Sequence, residues 1–97
     1  MELRHLRYFI TVADELSFSH AAEHLGIAQP PLSQQIQALE TELGVKLFDR
    51  KKPPLQLTQA GAAFLAEARS ILKTLEQAVS KTQRIQHRAS KIFNARE

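Results

Sequence analysis

From residue 64 to residue 92 the chain places apolar or small side chains at alternating steps of four and three, without a slip. They are Phe64, Ala68, Ile71, Leu75, Ala78, Thr82, Ile85, Ala89 and Ile92, with Leu65, Leu72 and Val79 running beside them. A seven-residue repeat sustained this long is the mark of a helix with a coiled-coil-like seam. At 1.5 Å per residue the stripe spans ~42 Å. Thr58 is suited to cap the helix that carries it. The chain has 97 residues, enough for one small domain ahead of that helix and marginal as a core on its own. No folded core is left over to cover the stripe, so a second copy of the same helix is its economical partner. Phe64, Ala68, Ile71, Leu72, Leu75, Ala78, Val79, Thr82 and Ile85 are therefore expected to form a dimer interface.

The region ahead of the seam reads as three short helices and a wing. Leu3, Leu6, Phe9, Ile10, Ala13 and Leu16 share a face at helical spacing, which predicts a first helix over residues 3–15. Ser17 or Ser19 can cap a second helix, with Phe18, Ala21, Ala22 and Leu25 as its stripe. Gly26 ends it after about two turns, where a left-handed residue is favoured. Leu32, Ile36, Leu39 and Leu43 step by four, three and four, giving the buried face of a third helix. That helix opens on Pro30 and Pro31, which its first turn tolerates because N–H groups there lack intrahelical partners. Gly44 closes it. The period then changes: Leu47–Asp49 and Leu55–Leu57 read as two short strands joined by the tip "RKKPP".

Two short helices joined by a tight glycine turn form the helix-turn-helix signature, whose second helix enters the DNA major groove with its amino-terminal residues leading. Here those residues are Gln29, Pro30, Pro31, Ser33 and Gln34, with Gln37 one turn on. Glutamine can bond adenine N6 and N7 together, and proline can press on a thymine methyl. Backbone N–H groups at the helix start can take a phosphate. An isolated glutamine would be an ordinary solvated surface residue; this set follows a turn and precedes a basic wing, which favours DNA. Arg50, Lys51 and Lys52 at the wing are read as contacts to phosphate or the minor groove, as are Ser17 and His20 at the second helix. Arg50 could also serve as a structural pair for Asp49.

Charge is unevenly distributed. Residues 1–57 hold six Lys/Arg and seven Asp/Glu, a net −1, whereas residues 58–97 net +4. The head is thus not broadly basic, and its cations bunch between Lys46 and Lys52, where a polyanion would feel them locally. Cysteine is absent, which excludes disulfides and thiolate metal sites and suits a reducing compartment. The amino-terminal stretch is broken by Asp14 and Glu15 and lacks the apolar run of a signal peptide or membrane span, so a cytoplasmic location is expected. "HAAEH", residues 20–24, fits the H-x-x-E-H pattern of one zinc peptidase class, with His20 and His24 on one face and Glu23 as base. The helix is too short and no third ligand is evident, so no enzyme, metal or cofactor is expected. His5 and His87 are read as surface residues.

The stretches "LRYFITVADELSFSHAAEHLGIAQPPLSQQIQALETELGVKLFDR" and "LTQAGAAFLAEA" resemble the amino-terminal region of LysR-type transcriptional regulators. The match is dense over residues 1–70 and continues by pattern to about 88. "MELRHLRYF" with "IAQPPLSQQIQ" is similar to the subgroup that controls aromatic-compound degradation. The resemblance implies a mostly α fold: a winged helix-turn-helix over 1–57, a linker and dimerisation helix over 58–90, and a tail over 91–97. In the family, linker helices usually pair antiparallel and dimers often associate into tetramers. The family's base-reading positions fall on Gln29, Pro30, Pro31, Ser33 and Gln34, and its phosphate-contacting wing arginine on Arg50; its sites show an interrupted dyad. Three departures stand out. Position 28, often Ser or Thr that caps the third helix and can touch phosphate, is Ala28. Positions 34 and 37, often Arg, are Gln34 and Gln37. The family's large domain for a small-molecule effector does not follow, and "RASKIFNARE" does not resemble its first strand, so the chain is expected to be an excised DNA-binding piece or a truncated product. The function expected is sequence-specific binding of a double-stranded DNA operator by a homodimer. The alternative is a dimerisation module that pairs with and modulates a full-length regulator.

Overall fold

The structure, a computed structural model, describes the backbone of residues 1–95 and the side chains as far as Ala89. Its elements run α1 (Leu3–Glu15), α2 (Phe18–Leu25), α3 (Gln29–Leu43), β1 (Phe48–Asp49), β2 (Gln56–Leu57) and α4 (Gln59–Ala95). The strands pair antiparallel, Phe48 opposite Leu57 and Asp49 opposite Gln56, with the wing tip between them. α4 continues past 90 through most of the segment read as a tail. It makes the molecule an elongated body, 66 Å long and 25 by 20 Å across.

The helix boundaries follow local chemistry. Glu2 N–H donates to His5 Nδ1 at 3.0 Å, so His5 helps to start α1 rather than being an idle surface residue. Leu16 ends α1 in the left-handed region at φ 49°, its N–H on Val12 O at 2.7 Å. It is 43% exposed, and Leu3 is 44% exposed, so neither belongs to the core face predicted for the first helix. Val12, outside that predicted face, is fully buried. Ser17 caps α2 by accepting His20 N–H at 3.2 Å. Gly26 closes α2 at φ 69° and Gly44 closes α3 at φ 72°, each in a conformation that side chains resist. Thr58 Oγ1 accepts Gly61 N–H at 2.9 Å and caps α4.

Phe9, Val12, Leu32, Ile36, Leu39 and Leu47 are the largest fully buried side chains, drawn from α1, α3 and the approach to β1. A row of aromatic rings crosses this core. Phe9 lies 5.4 Å from Phe64 and 5.5 Å from Phe48, and Phe48 lies 6.0 Å from Phe18. The row ties α4, α1, β1 and α2 together, each contact contributing about 0.5–1.5 kcal/mol beyond area burial.

Phe64 and Leu65 are half-buried against this core, and Ala68 is completely buried in it. The expectation that the chain's own core leaves the seam uncovered fails here: the head covers the first turns of α4. Ala68 therefore has no surface to offer a second copy, and Phe64 is already engaged with Phe9. Leu72 and Leu75 are half-buried, whereas Ile71, Val79 and Ile85 are 45%, 47% and 67% exposed. Ala78 and Thr82 are exposed too, and the Thr82 hydroxyl donates to Ala78 O on its own helix at 2.8 Å. The open seam thus begins at Ile71. Ile92 lies outside the residues whose side chains are described.

Gly61 sets how closely α4 meets the wing. A Cβ there would stand 2.0 Å from Leu47 O, and Thr58 N–H donates to that same carbonyl at 3.0 Å. Glycine within a helix ordinarily costs about 0.5–1 kcal/mol relative to alanine. Here the sign should reverse. Gly61→Ala is expected to lower the thermal midpoint in circular dichroism; a raised midpoint would show that α4 does not seat this closely.

Candidate nucleic-acid interface

α2 and α3 meet across one tight turn. Gly26 N–H donates to Glu23 O and Ile27 N–H to Ala22 O, both turned back onto the end of α2. Ala21 and Ala22 are buried and small, letting α3 approach, and Leu32 and Ile36 seat α3 in the core. The opposite face of α3 is open. Gln29, Pro30, Pro31, Gln34 and Gln37 are exposed and Ser33 is half-buried. Pro30, Ser33, Gln34 and Gln37 stand at i, i+3, i+4 and i+7, one stripe along the helix. The structure therefore presents the candidate reading residues on the side away from the core, with Pro31 at the edge of the set.

Pro30 and Pro31 change what the start of α3 can do. They occupy the first turn after the cap residue Ala28, at the two positions whose N–H groups a cap side chain would bond, and they have none. Leu32 N–H donates to Ala28 O at 3.4 Å. Only the Ala28 and Gln29 N–H groups remain of the usual four, so the expected row of phosphate-binding N–H groups at this helix start is cut by half. The same geometry removes the capping role inferred for Ser or Thr at position 28, because a hydroxyl there would find no donor to satisfy. Ala28 is extended, at φ −74° and ψ 150°, and alanine costs the helix nothing there.

The cations gather at the other end of the stripe. Gln37, Lys46, Phe48, Asp49, Arg50 and Lys51 line an open hollow of about 550 Å³ between α3 and the wing. Gln37, expected among the reading residues, thus adjoins cations. Lys46 joins the set, although in the sequence it stands out only as one of a cluster. Lys51 and Lys52 are exposed at the tip, with Lys51 N–H donating to Asp49 Oδ1 at 3.0 Å. Arg50 does not pair with Asp49. Its Nη2 donates to Glu40 Oε1 at 3.1 Å and its guanidinium lies 4.9 Å from the centre of the Phe18 ring. Phe18 opens α2 directly after Ser17, so the wing cation meets the start of α2. Ser17 Oγ is occupied there with His20 N–H and with Ser19 Oγ at 3.2 Å, while the His20 ring is exposed.

Glu40 is the functional neighbour that sequence reasoning misses. Its side chain is 2% exposed, and Oε2 accepts Leu47 N–H at 2.7 Å and Phe48 N–H at 3.3 Å. The signal is present in the spacing, because Leu32, Ile36 and Glu40 follow one another at steps of four on the buried row. As for the zinc pattern, His24 Nδ1 lies 3.3 Å from Glu15 Oε1, and no group of three potential ligands occurs among the described residues. No helix among them is long and apolar enough to cross a membrane.

A glycine turn between two short helices, a two-stranded wing and a long trailing helix define a winged helix-turn-helix protein. The profile of the family described as bacterial regulatory helix-turn-helix protein, lysR family, matches residues 3–62, and the chain belongs to that family. Among curated proteins it is 53% identical over 85 residues to the HTH-type transcriptional regulator BenM of Acinetobacter baylyi, covering 88% of this chain and 28% of that one. It is 52% identical over 85 residues to the uncharacterized HTH-type transcriptional regulator YnfL of Escherichia coli, covering 88% and 29%. The chain therefore spans less than a third of the length of these relatives. Among solved structures, the BenM DBD in complex with catB site 1 DNA superposes with a TM-score of 0.85 at 53% identity, over 88% of this chain and 96% of that one. The CbnR DBD in complex with DNA gives 0.81 at 43% identity, over 86% and 95%.

The empty cap position yields a stability test. A serine cap normally adds about 1 kcal/mol, which for a domain of this size would raise the midpoint by roughly 4–8 °C. Ala28→Ser is expected to leave the midpoint unchanged in circular dichroism, since neither proline can donate to it. A rise of that size would show that α3 starts elsewhere.

Proposed function

We propose that this chain is the sequence-specific, double-stranded DNA-binding head and linker helix of a LysR-type transcriptional regulator, acting as a dimer. The observation that carries this reading is the stripe of exposed Pro30, Gln34 and Gln37 with half-buried Ser33, which begins behind a glycine turn and ends in a cation-lined hollow. Laid in the major groove, Gln29 and Gln34 would read adenine edges, and Pro30 and Pro31 would pack on thymine methyls. Lys46, Arg50, Lys51 and Lys52 would hold the flanking phosphates and fix the register of the reading helix. Residues 1–57 form the head in this reading, and 58–90 the linker. The role is regulatory rather than catalytic and cytoplasmic, and recognition of a small-molecule effector would lie in the remainder of such a regulator.

The geometry also supports pairing through Ile71, Leu72, Leu75, Ala78, Val79, Thr82 and Ile85, a stripe too apolar to be left in water. A pair of heads on one DNA face would require half-sites about 34 Å apart or at multiples of that turn. Dimers associating into tetramers would lengthen the footprint without altering the head. Selection of bound sequences from random duplex DNA tests the reading directly. An interrupted dyad should emerge; recovery of no enriched sequence would instead favour a module that works only by pairing with a longer regulator.

Two further outcomes separate the parts. Replacing Lys51 and Lys52 by alanine should weaken binding to every duplex and flatten the salt dependence, by about 0.9 in slope for each phosphate the protein no longer neutralises. Gln29→Ala should relax base preference and leave that slope alone. Wing variants that keep both affinity and slope would refute the phosphate assignment, and an unaltered preference profile would refute direct reading by Gln29. Separately, Ile85→Asp, at the most exposed large apolar residue of the seam, should shift the protein from dimer to monomer in sedimentation velocity while the melting of the head persists.

A further inference from the structure

Glu40 is a nearly buried carboxylate at the edge of a surface that has to meet a polyanion. A negative charge there opposes phosphate binding, and burying it is costly unless its oxygens are fully engaged. They are engaged, but in an uneven way. One oxygen takes two backbone N–H groups, from Leu47 and Phe48, which pins α3 to the start of the wing. The other takes only Arg50 Nη2. The Arg50 guanidinium has five N–H donors in a planar fork, and Glu40 is its sole hydrogen-bond partner among the described residues. Its central carbon lies over the Phe18 ring, 4.9 Å from the centroid. The guanidinium is therefore held from two sides, while its unbonded N–H groups leave it able to take a ligand at the hollow beside Gln37.

We propose that Glu40 is a positioning residue for DNA recognition: with Phe18 it holds Arg50 as a preset phosphate clamp, locking the wing cation to the same helix that reads the bases. The proposal rests on the DNA-binding function set out above. Glu40 lies three residues beyond Gln37, so it continues the reading stripe inward and its carboxylate fixes where Arg50 stands relative to that stripe. Because Glu40 neutralises much of Arg50 at long range, Arg50 contributes register rather than general attraction. Lys46, Lys51 and Lys52, which have no such buried counter-charge among the described residues, supply the attraction. Lysine at position 50 would keep the charge but could not fork between a carboxylate and a phosphate.

The test uses two variants, Glu40→Gln and Arg50→Lys, and the double variant, with circular dichroism to confirm folding. Affinity is measured for a duplex selected by the wild-type protein and for a scrambled duplex of the same length. If Glu40 acted only through its charge, Glu40→Gln would bind both duplexes more tightly and keep their ratio. Positioning predicts that the ratio falls, by about tenfold for removal of one well-aligned charged hydrogen bond. Arg50→Lys should produce a similar fall, and the double variant no further one, since both changes release the same clamp. Effects that multiply in the double variant, or a wild-type ratio in either single variant, would overturn the assignment. Arg50 is at the surface, so Arg50→Lys decides the matter even if Glu40→Gln fails to fold. Failure of the wild-type protein to bind either duplex would overturn the DNA-binding function itself.

Discussion

A carboxylate withdrawn from water must find donors for its oxygens, and that requirement organises the contact between reading helix and wing. As the chain leaves α3, the Gly44 and Val45 N–H groups still turn back onto Glu40 O, but those of Leu47 and Phe48 are past the reach of the helix. The Glu40 side chain reaches across and accepts both. The two-residue strands that follow are too short to be stable by themselves. They are held because β1 is tied to α3 through Glu40, to α1 and α2 through the rings of Phe48, Phe9 and Phe18, and to α4 through Leu47 O beside Gly61. Removing the Glu40 carboxylate would leave two buried donors unmet, at about 1–3 kcal/mol each, and Arg50 without its counter-charge. The wing is thus an extension of the helical core rather than a flexible arm.

α4 divides into two regions with different partners. Its first turns are part of the head: Gly61 abuts Leu47, Phe64 packs on Phe9, and Ala68 is sealed. An exposed ion pair between Arg69 and Asp14 of α1 marks the end of this docking. Beyond it the seam faces water. Because the heptad runs through both regions without a change of phase, the head and any second helix engage the same stripe in succession. The orientation of the head relative to α4 is set by packing over Phe64 and Ala68.

Much of this is legible in the sequence, and what is not has a common cause. Gly26, Gly44, Pro30, Pro31, Ser17 and Thr58 act on the backbone within a few residues, so the helix limits they imply agree with the structure. The strands fall inside the predicted segments for the same reason. Periodicity identifies a face but not what covers it. That is why it assigns Leu3 and Leu16 to the core, passes over Val12, and assigns Ala68 to a second copy when its own head buries it. Residue type misleads in the same way at Glu40. A glutamate on the buried row has no reason in the sequence to be buried; the N–H groups of Leu47 and Phe48, brought to it only by the fold, supply it. Proximity in sequence pairs Arg50 with Asp49, yet Glu40 and Phe18, distant in sequence, are what the fold brings to its guanidinium.

The scarcity of cations on α3 follows from the same arrangement. A reading helix gains affinity from arginine only at the expense of charge repulsion with other cations nearby, and here Lys46, Arg50 and Lys51 already converge on the hollow at Gln37. Neutral glutamines at 34 and 37 avoid adding to that field and leave the stripe to hydrogen bonding. The prolines work in the same direction: by deleting two N–H groups of the first turn they weaken anion binding there, and they present apolar surface instead. In the proposed reading, attraction would reside in the wing, alignment in the pair Glu40 and Arg50, and discrimination in the first two turns of α3. A head with a net charge of −1 can then serve a polyanion, because the position of its few cations matters more than their number.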